Sequence, residues 1–529
     1  MMTKAPRLPP LPRAGEGGLI PGTGQLLPPL AGESLAPARI DSCRFELSQR
    51  RDGGETIAPR LLAPTPALPR KRGRERFLGR GRSLIGAALL SAATLAQAYP
   101  YDGYAYTGIR RLDYVAQVYA GTVPGRKLQP GQYLGMDQVF PRWNGTDGKA
   151  LPPPDADLQA RLDQLLAGSG YATYSVALLD LSDVTHPLYA AHNADDKVNV
   201  GSVGKVLVVL ALMQTLADLY PEDIAARERV LKTTMITADV YSQYDHHTVT
   251  FWDPVAKVRK ARSIRAGDQG TLWEYLDWML SASSNSAAGM VQKELIALKH
   301  FGSAYPPSPA EYEAFFKQSP KVLGDLYLQT MNDAVARNGF DPEQFRQGSI
   351  FTHGGKTKVD GTSSYATSEQ LVRYLYRLEA GTLIDAFSSR EIKRLLYMTQ
   401  RRIRYASHPV LNDDAVFFKS GSFYQCTGGG GCPQYKGNKT NRLASVAIVE
   451  SPDMTPLNVP RLRYLVAVTS NVLGVNSAVA HQSLALKIHR FIEEQHPVPE
   501  LPPAPPDNAF PSVPVDDPDD PARKQSEQQ

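Results

Sequence analysis

Little in this chain points to a metal or nucleic-acid protein. Of 529 residues only three are cysteine, so at most one bridge can close within the chain. His246-His247 stands without a partner at metal-ligand spacing and reads as part of a solvated loop, so no metal and no cofactor is expected. Gly204-Lys205 is followed by Val206, and no glycine stands five residues before it, which excludes a phosphate-binding P-loop. The formal charge of +5 is not a property of the body: residues 1–98 carry fifteen Lys/Arg against seven Asp/Glu, which leaves −3 for the remainder. The body therefore has no basic footprint for nucleic acid. Near the N-terminus the apolar run Leu84–Ala96 spans thirteen residues, too few to cross a bilayer.

What is present falls into five stretches. Residues 1–70 are Pro/Gly/Arg-rich without hydrophobic period and read as a disordered leader, or as a misread upstream segment with the true start near residue 75 or later. Residues 71–98 have the anatomy of a secretory signal: basic residues to Arg82, the apolar run, then Ala96-Gln97-Ala98. No cysteine stands directly after that run, which speaks against a lipoprotein anchor; the expected destination is periplasmic or secreted, with no stable membrane anchor after cleavage. Residues 99–155 are rich in Tyr, Gly and Pro and read as an extended segment wrapped on the domain or a linker. Residues 156–496 are regular, and 497–529 form a Pro/Asp-rich disordered tail.

Within the regular stretch, Asp157–Leu166 has helical spacing. Tyr174–Leu181 and His186–His192 read as a hairpin, and Val240–Asp268 as an inserted loop with a hairpin of its own. Helices are expected over Thr271–Leu280, Thr367–Leu378, Ser389–Met398 and Ala478–Glu494, and strands over Ala415–Phe423, Leu443–Glu450 and Arg463–Thr469. Two strands, a large helical middle, three strands and a helix predict an α/β fold: an antiparallel sheet flanked by helices plus an all-helical subdomain, with strands distant in sequence paired.

The chemistry centres on Asn199-Val-Gly-Ser202-Val-Gly-Lys205, followed by eight uninterrupted apolar residues, Val206 to Met213. A helix apolar all round belongs inside a domain. Positions i and i+3 share one face, so the Lys205 amine is placed beside the Ser202 hydroxyl. Ser202 would also sit at a helix N-terminus, where developing negative charge is favoured. A buried amine loses its charge readily and then accepts the hydroxyl proton. By itself Ser-x-x-Lys is weak, since serine is also a common helix cap.

Two further patterns follow in order: Ser283-Ser284-Asn285 and Lys419-Ser420-Gly421. Together the three resemble the Ser-x-x-Lys, Ser-Asp-Asn and Lys-Thr-Gly set of the serine β-lactamase/penicillin-binding protein superfamily, closest to class A, over about Asp155 to Gln495. The resemblance implies an exported serine hydrolase acylated at Ser202, with Lys205 as base and Ser283 passing a proton to the leaving nitrogen. It implies that Asn285 binds a substrate amide and steadies Lys205, that Lys419 and Ser420 bind a carboxylate, and that Gly421 lets substrate lie against the strand. The backbone N–H groups of Ser202 and Ser422 would form an oxyanion hole. The implied partner is a small-molecule β-lactam or a peptidoglycan peptide. The alternatives are a D-alanyl-D-alanine carboxypeptidase or related esterase and, in another class, a non-catalytic cell-wall binding protein.

Two departures stand out. Ser284 replaces the class A aspartate, and no Glu-x-x-Leu-Asn occurs between Asn285 and Lys419, so the deacylating glutamate has no counterpart; Glu311, Glu313 and Glu343 lie in the interval without a sign of that role. Lys356-Thr357-Lys358 lacks the glycine and strand of the third motif, and His353-Gly354-Gly355, with no Gly-x-Ser-x-Gly to accompany it, reads as a turn. Cys43 would leave with the leader, whereas Cys426 and Cys432 flank a glycine run just after Lys419-Ser-Gly and are expected to close a small loop, worth about 2 kcal/mol.

Overall fold

The computed structural model describes residues 100, 102–167, 170–242, 245–349, 364–399, 402–428, 431–455 and 458–498. The expected leader, the signal segment, nearly all of the tail, the expected turn at 353–355 and the 356–358 stretch lie outside the described residues.

A five-stranded sheet runs through the domain in the order β2-β1-β9-β8-β7, every neighbouring pair antiparallel. Its strands are β1 (Ser175–Asp180), β2 (Leu188–His192), β7 (Ala415–Gln425), β8 (Thr440–Glu450) and β9 (Arg463–Asn471). The first hairpin therefore docks on the last strand, with Ser175 opposite Thr469 and Asp180 opposite Tyr464. Successive side chains of a strand point to opposite faces, and β9 shows it: Leu465 and Ala467 enter one core, Tyr464, Val466 and Val468 the other.

The smaller core is closed by α3 (Ala156–Ala167), through Leu158, Leu162 and Leu166, and by the last helix, α12 (Ser477–Gln495), through Leu484, Ile488 and Ile492. The larger core holds α4 (Lys205–Leu219), whose residues Val206 to Met213 are all buried, as an all-apolar helix requires. By length and composition that helix with its leading turn would suffice to cross a membrane, but it is mostly buried inside the domain. Around it pack α6 (Leu272–Ser281), α7 (Asn285–Phe301), α9 (Pro320–Arg337), α10 (Ser368–Glu379) and α11 (Ala386–Tyr397), several of them closed by side-chain caps from Thr271, Ser284, Ser319, Thr367 and Asp385. This is the expected architecture. The hairpin in the inserted loop is also present, as β4 (Val249–Asp253) against β5 (Val258–Arg262).

One expectation is corrected. Residues 99–155 do not form a merely extended segment: Gly103–Thr107 and Arg110–Tyr119 are helices, α1 and α2. Leu112, Val115 and Val118 recur every three residues on α2 and are buried, and Ile109, Val139 and Trp143 join the larger core. Arg110 forks onto Glu274 of α6 at 2.8 and 2.9 Å. Arg111, fully buried, is paired with Asp277 of the same helix. The flanking glycines and prolines hide this short amphipathic helix in the composition.

Candidate active site

The chain enters the site through a tight 3₁₀ turn, Gly201–Gly204, ahead of α4. Three residues per turn eclipse positions i and i+3, so the turn aligns Ser202 with Lys205 more closely than an α-helix would. The Lys205 amine lies 3.2 Å from Ser202 Oγ. It donates to the Ser283 carbonyl at 2.6 Å and to Asn285 Oδ1 at 2.7 Å. A neutral amine has two hydrogens and one lone pair, so these two acceptors leave the lone pair for the Ser202 hydroxyl proton. Lys205 is only 3% exposed. That burial brings its pKa down to about 7, against a partial rise from the Asp245 carboxylate.

Ser283 lies just before α7 with φ of +60°, in the left-handed region that costs a non-glycine residue of order 1 kcal/mol. The conformation delivers both its groups to the site: the carbonyl to Lys205, the hydroxyl to Lys419, whose Nζ is 2.9 Å from Ser283 Oγ. Lys419 is buried in β7, and burial, with the nearby charges of Lys205 and Arg404, pushes its pKa well below the usual lysine value.

β7 is an edge strand of the sheet and lies along the Ser202 turn. The contact is made through Gly421. A Cβ there would stand 2.1 Å from the Val200 carbonyl and 2.5 Å from Ser202 N, so any side chain would force the strand away. Ser422 N lies at the same contact, 3.3 Å from the Cβ position of Gly201, which puts the two proposed oxyanion donors on adjoining segments. Gly204 is similarly constrained, its Cβ position falling 2.0 Å from Gln347 Oε1. All eight expected site residues thus belong to one cluster, drawn from the Ser202 turn, the Ser283 turn and β7.

Two residues of the site carried no motif. Arg404, in the run Arg402-Ile403-Arg404 after α11, donates to Ser420 Oγ at 2.7 Å and to Ser422 Oγ at 2.8 Å. An arginine run reads as solvated surface, yet Arg402 and Arg404 are both buried. Asp245, from the inserted loop, accepts from Ser284 Oγ at 2.7 Å and from the Ser286 amide at 3.0 Å. His247 Nδ1 lies 2.6 Å from its other oxygen. The expectation of a solvated loop is therefore corrected at His247, whose side chain is 20% exposed; His246 beside it is exposed. Asp245, His246 and His247 bring ligand atoms within 4.8 Å of one another, but hydrogen bonds already engage the aspartate and His247.

The three glutamates singled out from the interval lie elsewhere. Glu311 caps a surface helix through Ser308, Glu313 pairs with Lys317 on the surface, and Glu343 is exposed. The expected bridge is present, joining Cys426 to Cys432 with Cα atoms 5.4 Å apart.

No family model matches the sequence, and no curated protein matches it. Solved structures do. A mutant of PBP-A in acyl-enzyme complex with penicillin G is 13% identical, covering 65% of this chain and 100% of its own, at a TM-score of 0.41. The β-lactamase of Sphaerobacter thermophilus is 15% identical over 64% of this chain and 98% of its own, at 0.40. A class A β-lactamase representative from Bacteroides cellulosilyticus is 15% identical over 65% and 100%, at 0.40. Likenesses this distant carry no argument about the site, whose reading rests on the distances within this chain.

Proposed function

We propose that the chain is an exported serine hydrolase that forms an acyl-enzyme at Ser202 with an amide substrate bearing a carboxylate. The observation that carries this reading is the Lys205 amine: buried, with acceptors for two hydrogens, and 3.2 Å from the Ser202 hydroxyl. Lys205 takes the Ser202 proton as Oγ attacks the carbonyl, and the amides of Ser202 and Ser422 receive the oxyanion. The Ser283 hydroxyl, held by Lys419, relays to the leaving nitrogen the proton that Lys205 took, so both side chains end as they began. Asn285 engages the substrate's side-chain amide while steadying Lys205. Lys419, Ser420 and Arg404 bind the carboxylate; Arg404 adds a buried guanidinium to the groups implied by the motifs. Export accords with the 71–98 segment and with the Cys426–Cys432 bridge, which suits an oxidising compartment.

The fate of the acyl-enzyme divides β-lactam hydrolysis from a D-alanyl-D-alanine carboxypeptidase or related esterase. Among the described residues no glutamate contacts Ser202 or Lys205, and this favours the second. A penicillin adduct is then long-lived, because among the described residues no glutamate stands at Ser202 to activate water against it. Intact-mass measurement after mixing with a penicillin tests both readings. An adduct lasting many minutes supports the peptidase or esterase, loss within seconds supports a β-lactamase, and no adduct at any time refutes acylation and leaves a non-catalytic binding protein.

A further inference from the structure

The carboxylate of Asp245 belongs to no motif, yet it is tied to the turn that carries Ser283 and Asn285. Its side chain is 1% exposed. Oδ2 accepts from Ser284 Oγ and from the Ser286 amide, so the residue after Ser283 and the residue after Asn285 are both held by one oxygen. Oδ1 accepts from the His247 backbone amide at 3.0 Å and lies 2.6 Å from the His247 ring nitrogen. The Ser286 hydroxyl is fastened in turn to the Ser242 carbonyl, so two bonds from α7 reach the same loop. Burial opposes the charge of Asp245, but the hydrogen bonds from His247, Ser286 and Ser284 hold its carboxyl well below the ordinary range. It is a fixed negative charge beside the basic groups Lys205, Lys419 and Arg404.

We propose that Asp245 is a positioning residue of this site: it clamps the Ser283–Asn285 turn, whose Ser283 carbonyl and Asn285 side chain hold the Lys205 amine, and supplies a negative charge to that amine's surroundings. The inference deepens the acyl-enzyme reading and rests on it for the rate, though not for the charge of Lys205. Burial alone would leave Lys205 a weak base, and the charge of Asp245 works against that. His247 contributes little charge: burial depresses its pKa to about 4 against the pull of Asp245, so it is neutral at working pH and serves to hold the carboxylate. His246, the remaining titratable group on the loop, is exposed.

The test is Asp245→Asn, nearly isosteric and still able to accept from Ser284 and Ser286. With isotope-labelled lysine, the Lys205 titration is followed by NMR in wild type and variant, its signal assigned by its loss in Lys205→Ala. The midpoint is expected to fall by about half a unit or more when the negative charge is removed. Acylation by a penicillin is expected to slow about tenfold, with its acid limb moved to lower pH in step. Ser284→Ala keeps the charge and removes one clamp bond, so it slows acylation while leaving the midpoint in place. A midpoint that stays put or rises in Asp245→Asn overturns the proposal. Should that variant not fold, Asp245→Ser carries the same expected shift. The titration needs no substrate, so a wild-type protein that penicillin fails to acylate would sink the functional reading while the role of Asp245 is still decided.

Discussion

At the scale of the residue, the account depends on which groups hold charge. Ser202, Lys205, Ser283, Asn285 and Lys419 were legible because each sits in a short pattern whose spacing survives in the linear chain. Arg404 and Asp245 were not, because what qualifies them is burial against partners 16 to 41 residues away, which no local pattern reports. The Lys205 amine is pushed down to about 7 by burial and is active as a base when neutral. The acylation rate is therefore expected to rise with pH through about 7, falling roughly tenfold per unit on the acid side as the amine is protonated. Lys205→Ala removes that limb and slows acylation about a thousandfold. A rate-against-pH profile of penicillin acylation checks both, and a flat profile between pH 5 and 8 contradicts the assignment.

At the scale of the element, β7 and the Ser202 turn act as one unit through Gly421. The strand itself was readable from its apolar, β-branched and aromatic run. Its packing beside the turn was not, since it joins segments more than 200 residues apart. The sequence also placed Ser202 at the start of an α-helix, whereas the first turn is 3₁₀, a distinction of hydrogen-bond register that side-chain spacing does not encode. Because a Cβ at 421 meets the backbone of Val200 and Ser202, Gly421→Ala must move the strand or the turn. A misplacement of about 1 Å can cost a hundredfold in rate. Stopped-flow acylation of Gly421→Ala is expected to show a loss of that order with the far-UV spectrum unchanged; wild-type rates would mean that β7 does not line the reacting centre.

At the scale of the whole molecule, sheet, flanking helices and helical subdomain were all visible in the order of periodic segments. The role of residues 102–155 was not, because an amphipathic helix of ten residues is diluted there by turn-forming neighbours. That segment is part of the domain's core, and the buried Arg111–Asp277 pair locks it to α6. Removing one partner leaves the other buried and uncompensated, which costs about 3–5 kcal/mol. Asp277→Asn is expected to lower the denaturation midpoint accordingly, while replacing both partners with apolar residues recovers much of the loss. Equal stability of wild type and Asp277→Asn in urea would show that the segment is not braced there.

The central claim is that one hydroxyl, at Ser202, becomes covalently attached to substrate. Peptide mapping by tandem mass spectrometry after incubation with a penicillin tests it most directly. The account predicts a penicilloyl mass increment on the peptide carrying Ser202, absent from Ser202→Ala under the same conditions. An increment on any other residue, or the same increment in Ser202→Ala, would contradict it.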